Sequence, residues 1–258
     1  MKSNLLRTAL FLAVALTSIA YSAEPEIRQL PAKVQAKITA LSPEYAVFSP
    51  EGHDGKSKLP LLIFLHGGGG KGDDIAKAQR IATPAYRGMK KFSKTPCWFV
   101  VPQCAKGEVQ EKSVWLPEDL DLLLAHLKST LQVDESRIYL TGTSMGGYGS
   151  WVWAAHSPGH FAAVVPIVGG LGIGGPKDVT PDLDRWAESL AKIPVWAFHG
   201  AKDNVVPAER SQRMIALIQK KGGKRAKLTI FPDEGHGAGR RVFSSAKVYD
   251  WMFSQARD

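Results

Sequence analysis

Three short segments of this 258-residue chain hold side chains that could together do nucleophilic chemistry. Gly142-Thr143-Ser144-Met145-Gly146 places a serine between two glycines. Asp203 stands in His199-Gly-Ala-Lys-Asp203-Asn-Val-Val-Pro207, and His236 in Asp233-Glu-Gly-His236-Gly. A serine hydroxyl is a weak nucleophile at neutral pH and needs a base. An imidazole can be that base, and a carboxylate behind it holds the tautomer and stabilises the imidazolium. The G-x-S-x-G pattern is short. At background Gly and Ser frequencies of about 7% each, chance supplies it in roughly one chain in ten of this length. Its weight therefore comes from its surroundings.

Those surroundings alternate apolar runs with amphipathic stretches. Residues 61–65, 98–101, 137–141, 164–168, 195–199 and 228–231 read as strands, and 120–131, 145–155, 208–221 and 242–255 as helices. Pro102 is expected to end the second strand. Near-continuous apolar strands between helices predict a mostly parallel α/β sheet, doubly wound, with helices on both faces. Chemistry in such sheets lies beyond the carboxyl ends of the strands. Ser144 then sits on a sharp strand-to-helix turn, where Gly142 and Gly146 leave room for a strained backbone. The helix after it aims amide N–H groups at developing negative charge.

The order Ser144, Asp203, His236 gives each residue a strand end. Asp182, Asp184 and Asp233 compete with Asp203, although Asp233 is close to His236 along its own loop. Of the seven histidines, His236 alone follows the serine and a plausible acid within a glycine loop. His66 and His199 close strands, His53 lies in a polar loop, and His126, His156 and His160 lie on helices or their ends. His66-Gly67-Gly68-Gly69-Gly70 follows the first long apolar run. There it could supply one oxyanion-hole N–H, from Gly68 or alternatively Gly67, with the N–H of Met145 as the second. Gly67, Gly69 and Gly72 also fit G-x-G-x-x-G. The expected acidic residue about 20 positions on is missing, because Met89-Lys-Lys-Phe-Ser-Lys stands there. Lys71 is followed by Gly72, which breaks the Walker pattern. No metal or organic cofactor is expected.

Bulk composition, 44% hydrophobic and 22% charged, fits one sizeable domain. The first 22 residues read as a secretory signal peptide: Lys2 and Arg7 are its positive end, residues 10–16 its apolar core, and Ala20-Tyr21-Ser22 a small-x-small cleavage site. Residues 23–258 are then the catalytic domain, secreted or periplasmic, with no stable membrane insertion after cleavage. Cleavage lowers the formal charge from +9 to +7. The basic run Lys220, Lys221, Lys224, Arg225 and Lys227 has no interleaved aromatic residue and reads as a solvated helix end, not a nucleic-acid site. Cys97 and Cys104 flank an extended run that would hold them roughly 20 Å apart, so two unpaired, partly buried thiols are expected.

The segments LHGGGGKGDD, WFVVPQC, DESRIYLTGTSMGGYGSW, FAAVVPIVGG, FHGAKDNVVP and EGHG together resemble the secreted esterase branch of the α/β-hydrolase superfamily. The group is that of feruloyl and acetyl-xylan esterases and polyhydroxybutyrate-depolymerase-like enzymes, which is similar to the catalytic domain of prolyl oligopeptidases. The resemblance runs from about Tyr45 onward. It implies the α/β-hydrolase fold and the same triad: Ser144 as nucleophile, Asp203 as acid and His236 as base. It also implies that Trp115 and Tyr148 border the cleft, with core packing as the alternative. The implied substrate is a small or polysaccharide-linked ester, shaped by residues 102–117 and 169–184. Two other readings stay open: an exported peptidase of prolyl-oligopeptidase type, and an idle hydrolase fold that binds a glycan or a protein. The chain lacks a β-propeller and a lipase-sized lid, which weakens the peptidase and lipase readings.

Overall fold

The computed structural model describes residues 24–106, 114–172, 175 and 178–257. The leader read at residues 1–22 lies outside the described residues. Eight strands form one sheet: β1 (Glu26–Gln29), β2 (Leu41–Phe48), β3 (Leu59–Leu65), β4 (Trp98–Cys104), β5 (Val133–Thr143), β6 (Ala163–Ile167), β7 (Val195–Gly200) and β8 (Ala226–Phe231). Their spatial order is β1-β2-β4-β3-β5-β6-β7-β8. The β1–β2 and β2–β4 pairs are antiparallel; the pairs from β4 across to β8 are parallel. The helices are α1 (Ala32–Gln35), α2 (Ile75–Phe92), α3 (Pro117–Thr130), α4 (Met145–His156), α5 (Leu183–Leu190), α6 (Glu209–Lys220), α7 (Gly239–Phe243) and α8 (Ala246–Phe253).

The unbroken apolar run in β3 follows from this layering. Successive side chains of a strand point to opposite faces, and both faces here are covered. Leu61, Ile63 and Leu65 join one core, against Leu120, Leu123 and Leu127 of α3, Trp151 of α4, Trp186 of α5 and Met214 of α6. Leu62 and Phe64 join the other, against Ala78, Ala82 and Met89 of α2, Val242 of α7 and Tyr249 of α8. A one-residue slip of β3 would exchange its entire set between the two cores.

The structure departs from the sequence reading in several places. Pro102 does not end its strand: β4 continues to Cys104. Pro102 lies past the last β3 pair, Ile63 with Val100, and pairs with Tyr45 beside a register shift in β2. A residue without an N–H is tolerated where the ladder on one side has ended. The final helix is two helices. Ser244 closes α7, and Ser245 is extended at φ −104° before α8. The Ser244 hydroxyl donates back to the Arg240 carbonyl at 2.8 Å at this junction. Cys97 and Cys104 are free, as expected, but fully buried rather than partly so. Burial pushes both thiols up, Cys104 to about 12, which keeps them protonated and unreactive. Among the described residues, no helix is long and apolar enough to cross a membrane.

Candidate active site

Ser144 joins β5 to α4 with φ 58° and ψ −116°. That is left-handed backbone for a residue with a Cβ, a conformation costing on the order of 1–3 kcal/mol and held only by its surroundings. Those surroundings are glycines in van der Waals contact. A Cβ on Gly142 would lie 2.3 Å from the Gly146 oxygen, and one on Gly146 would lie 1.9 Å from the Leu65 oxygen. A Cβ on Gly147 would meet the Ile167 oxygen at 2.4 Å, and one on Gly149 would meet Trp115 at 2.7 Å. The glycine-rich start of α4 is thus what lets a helix press its first turn onto the ends of β3 and β6. The Ser144 N–H is held by the Ile167 carbonyl at 3.0 Å.

Two further strand ends deliver partners to the serine. The loop after β7 carries Asp203, and the loop after β8 carries His236. A Cβ on Gly200 would lie 2.3 Å from the carbonyl oxygens of Glu234 and Gly235, so its absence lets the two loops meet. The Lys202 N–H bonds the Glu234 carbonyl at 2.9 Å across this junction. His236 Nε2 lies 2.8 Å from Ser144 Oγ, and His236 Nδ1 lies 2.8 Å from Asp203 Oδ2. Asp203 Oδ1 accepts from the N–H groups of Val205 and Val206, both at 2.9 Å. The carboxylate therefore closes an Asx-type turn with one oxygen and faces the imidazole with the other. The Asp203 side chain is fully buried, whereas that of His236 is 28% exposed.

The competing acids are elsewhere. Asp182 pairs with Arg185 and Asp184 with Lys221 on the surface, and Asp233 is exposed. His156 and His160 face Asp121, and His126 meets the Tyr45 hydroxyl. Among the described residues, no group of three His, Cys, Asp or Glu side chains is arranged to hold a metal ion.

Gly68 and Met145 are each the first residue of a helical turn, Gly68 of a 3-10 turn through Gly70 and Met145 of α4. First-turn N–H groups have no acceptor within their own helix. A Cβ on Gly67 would lie 3.4 Å from Ser144 Cβ, so the glycine loop lies directly against the serine. His66 anchors this loop from below. It is fully buried; its Nδ1–H donates to the Gly67 carbonyl at 2.7 Å, and its Nε2 accepts from the Cys104 N–H at 3.0 Å. Trp115 completes the support. It is 2% exposed, its Nε1–H donates to the His66 carbonyl, and its ring lies against Gly149 and the His66 ring. Trp115 therefore packs in the core, under the loop. Tyr148 is also buried, beside Trp186, and burial pushes its hydroxyl pKa up. Within residues 102–117 and 169–184, positions 107–113, 173, 174, 176 and 177 lie outside the described residues.

The environment of His66 sets a pH dependence. Burial first, and Lys71 in addition, lower its pKa from 6.5 to about 4 against the opposing bond to Gly67. The folded state keeps it neutral while the unfolded chain binds a proton below 6.5. Its contribution is thus present above pH 6.5 and is lost as pH falls toward 4, by about 3 kcal/mol in all. Urea midpoints of the wild type and His66→Asn should converge across that window. Parallel pH profiles would contradict the assignment.

Sequence reading passed over His199 as a strand-end residue. It lies 3.3 Å from Asp203 Oδ2, the same oxygen that His236 Nδ1 contacts at 2.8 Å. Its offset of four residues before Asp203 is the signal that was available.

A "Putative carboxymethylenebutenolidase" of Methylorubrum extorquens is 32% identical over 124 residues, 46% of this chain and 40% of that relative. The match thus spans two-fifths of that relative's length. "Probable feruloyl esterase C" of Aspergillus terreus is 25% identical over 199 residues, covering 77% of this chain and 69% of its own. A crystal structure described as a thermostable esterase superposes with a TM-score of 0.71 at 25% identity, over 90% of this chain and 63% of the other. The fold is that of the α/β-hydrolases, and the likeness to feruloyl-type esterases read from the motifs is shared by these relatives. The dienelactone hydrolase family model matches residues 72–248, a span that begins just past the glycine loop and includes Ser144, Asp203 and His236, and the protein belongs to that family.

Proposed function

We propose that the protein is an exported serine carboxyl-ester hydrolase, with Ser144 as nucleophile, His236 as general base and acid, and Asp203 as the carboxylate behind it. The observation that carries this reading is the unbroken chain from Ser144 Oγ through both imidazole nitrogens to Asp203, with 2.8 Å at each contact. His236 Nε2 takes the Ser144 proton as Oγ attacks the ester carbonyl. The amides of Gly68 and Met145 receive the oxyanion. His236 then protonates the departing alcohol, the acyl-enzyme forms, and water activated by the same imidazole releases the acid. No step requires a metal or an organic cofactor.

The names of the relatives support a small ester substrate, and the feruloyl esterases among them favour a feruloyl ester; feruloyl or acetyl groups carried on carbohydrate are the narrower reading that the motif resemblance supports. The Lys2–Arg7 end, the apolar run and Ala20-Tyr21-Ser22 support export, with the mature domain starting near Ala23. The test is a fluorophosphonate probe followed by a substrate panel. Labelling should map to Ser144. Turnover should be highest on methyl ferulate, acetylated xylo-oligosaccharide or p-nitrophenyl acetate, and low on proline-containing peptide amides. Folded protein that leaves Ser144 unlabelled, or that prefers the amides, contradicts the reading.

A further inference from the structure

His199 is 0% exposed at the end of β7, and it is not one of the three residues assigned to the reaction. Its Nε2 faces two groups: the Val206 carbonyl at 3.0 Å and Asp203 Oδ2 at 3.3 Å. Both are acceptors, so Nε2 must carry a hydrogen. Its Nδ1 is 2.8 Å from the hydroxyl of Ser211, itself 1% exposed on α6. The acceptors place the hydrogen on Nε2, which donates to the Val206 carbonyl with the Asp203 carboxylate 3.3 Å away, and Nδ1 accepts from the Ser211 hydroxyl.

We propose that His199, held by Ser211, is a positioning residue that fixes the Asp203 carboxylate for His236; this rests on the triad reading given above. Asp203 Oδ1 is held by two backbone N–H groups of its own loop. Oδ2 has two imidazoles, His236 at 2.8 Å and His199 at 3.3 Å. His236 sits on a separate loop and is partly exposed, so it cannot by itself anchor the oxygen it needs. His199 supplies the rigid side: it is part of the sheet, and its far nitrogen is tied to a helix seated in the core through Met214 and Ile218. The side chains then form one line, Ser211–His199–Asp203–His236–Ser144, running from scaffold to nucleophile. Burial lowers the His199 pKa against the pull of Asp203. A neutral His199 turns its Nε2–H toward Asp203 Oδ2 at 3.3 Å while bonding the Val206 carbonyl, and places no second positive charge beside the carboxylate. The carboxylate is thus left to face the imidazolium that forms on His236.

The test uses the full chain and three variants, His199→Leu, His199→Gln and Ser211→Ala. The readouts are kcat and KM on p-nitrophenyl acetate, the rate of fluorophosphonate labelling of Ser144, and the proton resonance of His236 Nδ1–H. Loss of the Nε2–H that bonds the Val206 carbonyl and faces Asp203 Oδ2 should lower kcat for His199→Leu by about tenfold to a hundredfold, with KM nearly unchanged. The His236 Nδ1–H resonance should shift. His199→Gln, whose amide N–H can reach the same acceptors, should recover most of the lost rate. Ser211→Ala should lower kcat by about two- to fivefold and shift the same resonance. A folded His199→Leu with wild-type kcat overturns the proposal, as does a folded His199→Gln as impaired as the leucine. If His199→Leu does not fold, Ser211→Ala decides: unchanged kcat with an unmoved resonance overturns it. Wild-type protein unlabelled at Ser144 would sink the triad reading. Ser144 labelled equally fast in wild type and in His199→Leu would sink the positioning role alone.

Discussion

Asp203→Asn should lower kcat for ester hydrolysis by about four orders of magnitude while the chain stays folded. The reasoning starts from the two oxygens. Oδ1 accepts from the Val205 and Val206 N–H groups, and an amide oxygen can keep both bonds. The NH2 group must then take the place of Oδ2, facing His236 Nδ1 at 2.8 Å and His199 Nε2 at 3.3 Å. An N–H cannot accept from Nδ1–H, so His236 must change tautomer. Its Nε2 would then carry the hydrogen and point it at Ser144, leaving no lone pair to take the serine proton. The side chain is fully buried, so no water can restore the lost acceptor. Steady-state kinetics with circular dichroism as the folding control measures the effect, and KM should change little. A folded variant within tenfold of wild-type kcat contradicts the role given to Asp203.

Gly146→Ala should destabilise the fold by upwards of about 3 kcal/mol, beyond the usual cost of one added methyl in a packed interior. The added Cβ would lie 1.9 Å from the Leu65 oxygen and 2.8 Å from the His66 oxygen. Both are backbone atoms at the end of β3, the strand that pairs with β4 and β5 in the middle of the sheet. Relief requires α4 to lift off the sheet, which would open the contacts of Gly147 with Ile167 and of Gly149 with Trp115. The same shift would relax Ser144 from its positive φ. Thermal unfolding should show a large drop in Tm, or no soluble protein at all. A variant with wild-type Tm would show that the close seating of α4 is not required.

The three residues that meet in the Ser144–His236–Asp203 contact chain were legible because each carries two independent marks. Ser144 has its glycines and its place between a strand and a helix. Asp203 and His236 each follow an apolar run, in the order this fold uses. His199 has only one such mark. It closes a strand before a glycine, as His66 does, and nothing in residue type separates a histidine that steadies the glycine loop from one that faces the carboxylate. That difference lies in the path of the loop after β7.

The fold was readable in its central strands, where two buried faces leave continuous apolar runs. It was not readable at the antiparallel edge. β1 carries Glu26 and Arg28, and β2 is interrupted by Pro43 and Glu44, so neither has the run that marks β3. α2 was hidden by Pro84, which removes a helix donor, and by Gly88. Gly88 is a contact glycine: a Cβ there would lie 2.2 Å from the Phe243 oxygen and 2.4 Å from the Tyr249 hydroxyl. Trp115 was placed by resemblance at the cleft or in the core. Its part in holding His66 depends on a packing contact, which spacing does not encode.

The central claim is that Ser144 is the nucleophile whose oxygen carries the acyl group. Removing only that oxygen tests it most directly. Ser144→Ala keeps the Cβ and the N–H bond to Ile167, so folding should be retained. Hydrolysis of p-nitrophenyl acetate by the purified variant should fall to the small residual rate that binding and an oxyanion site alone provide, about a thousandth of wild type or less. A folded Ser144→Ala protein with substantial turnover would contradict the mechanism.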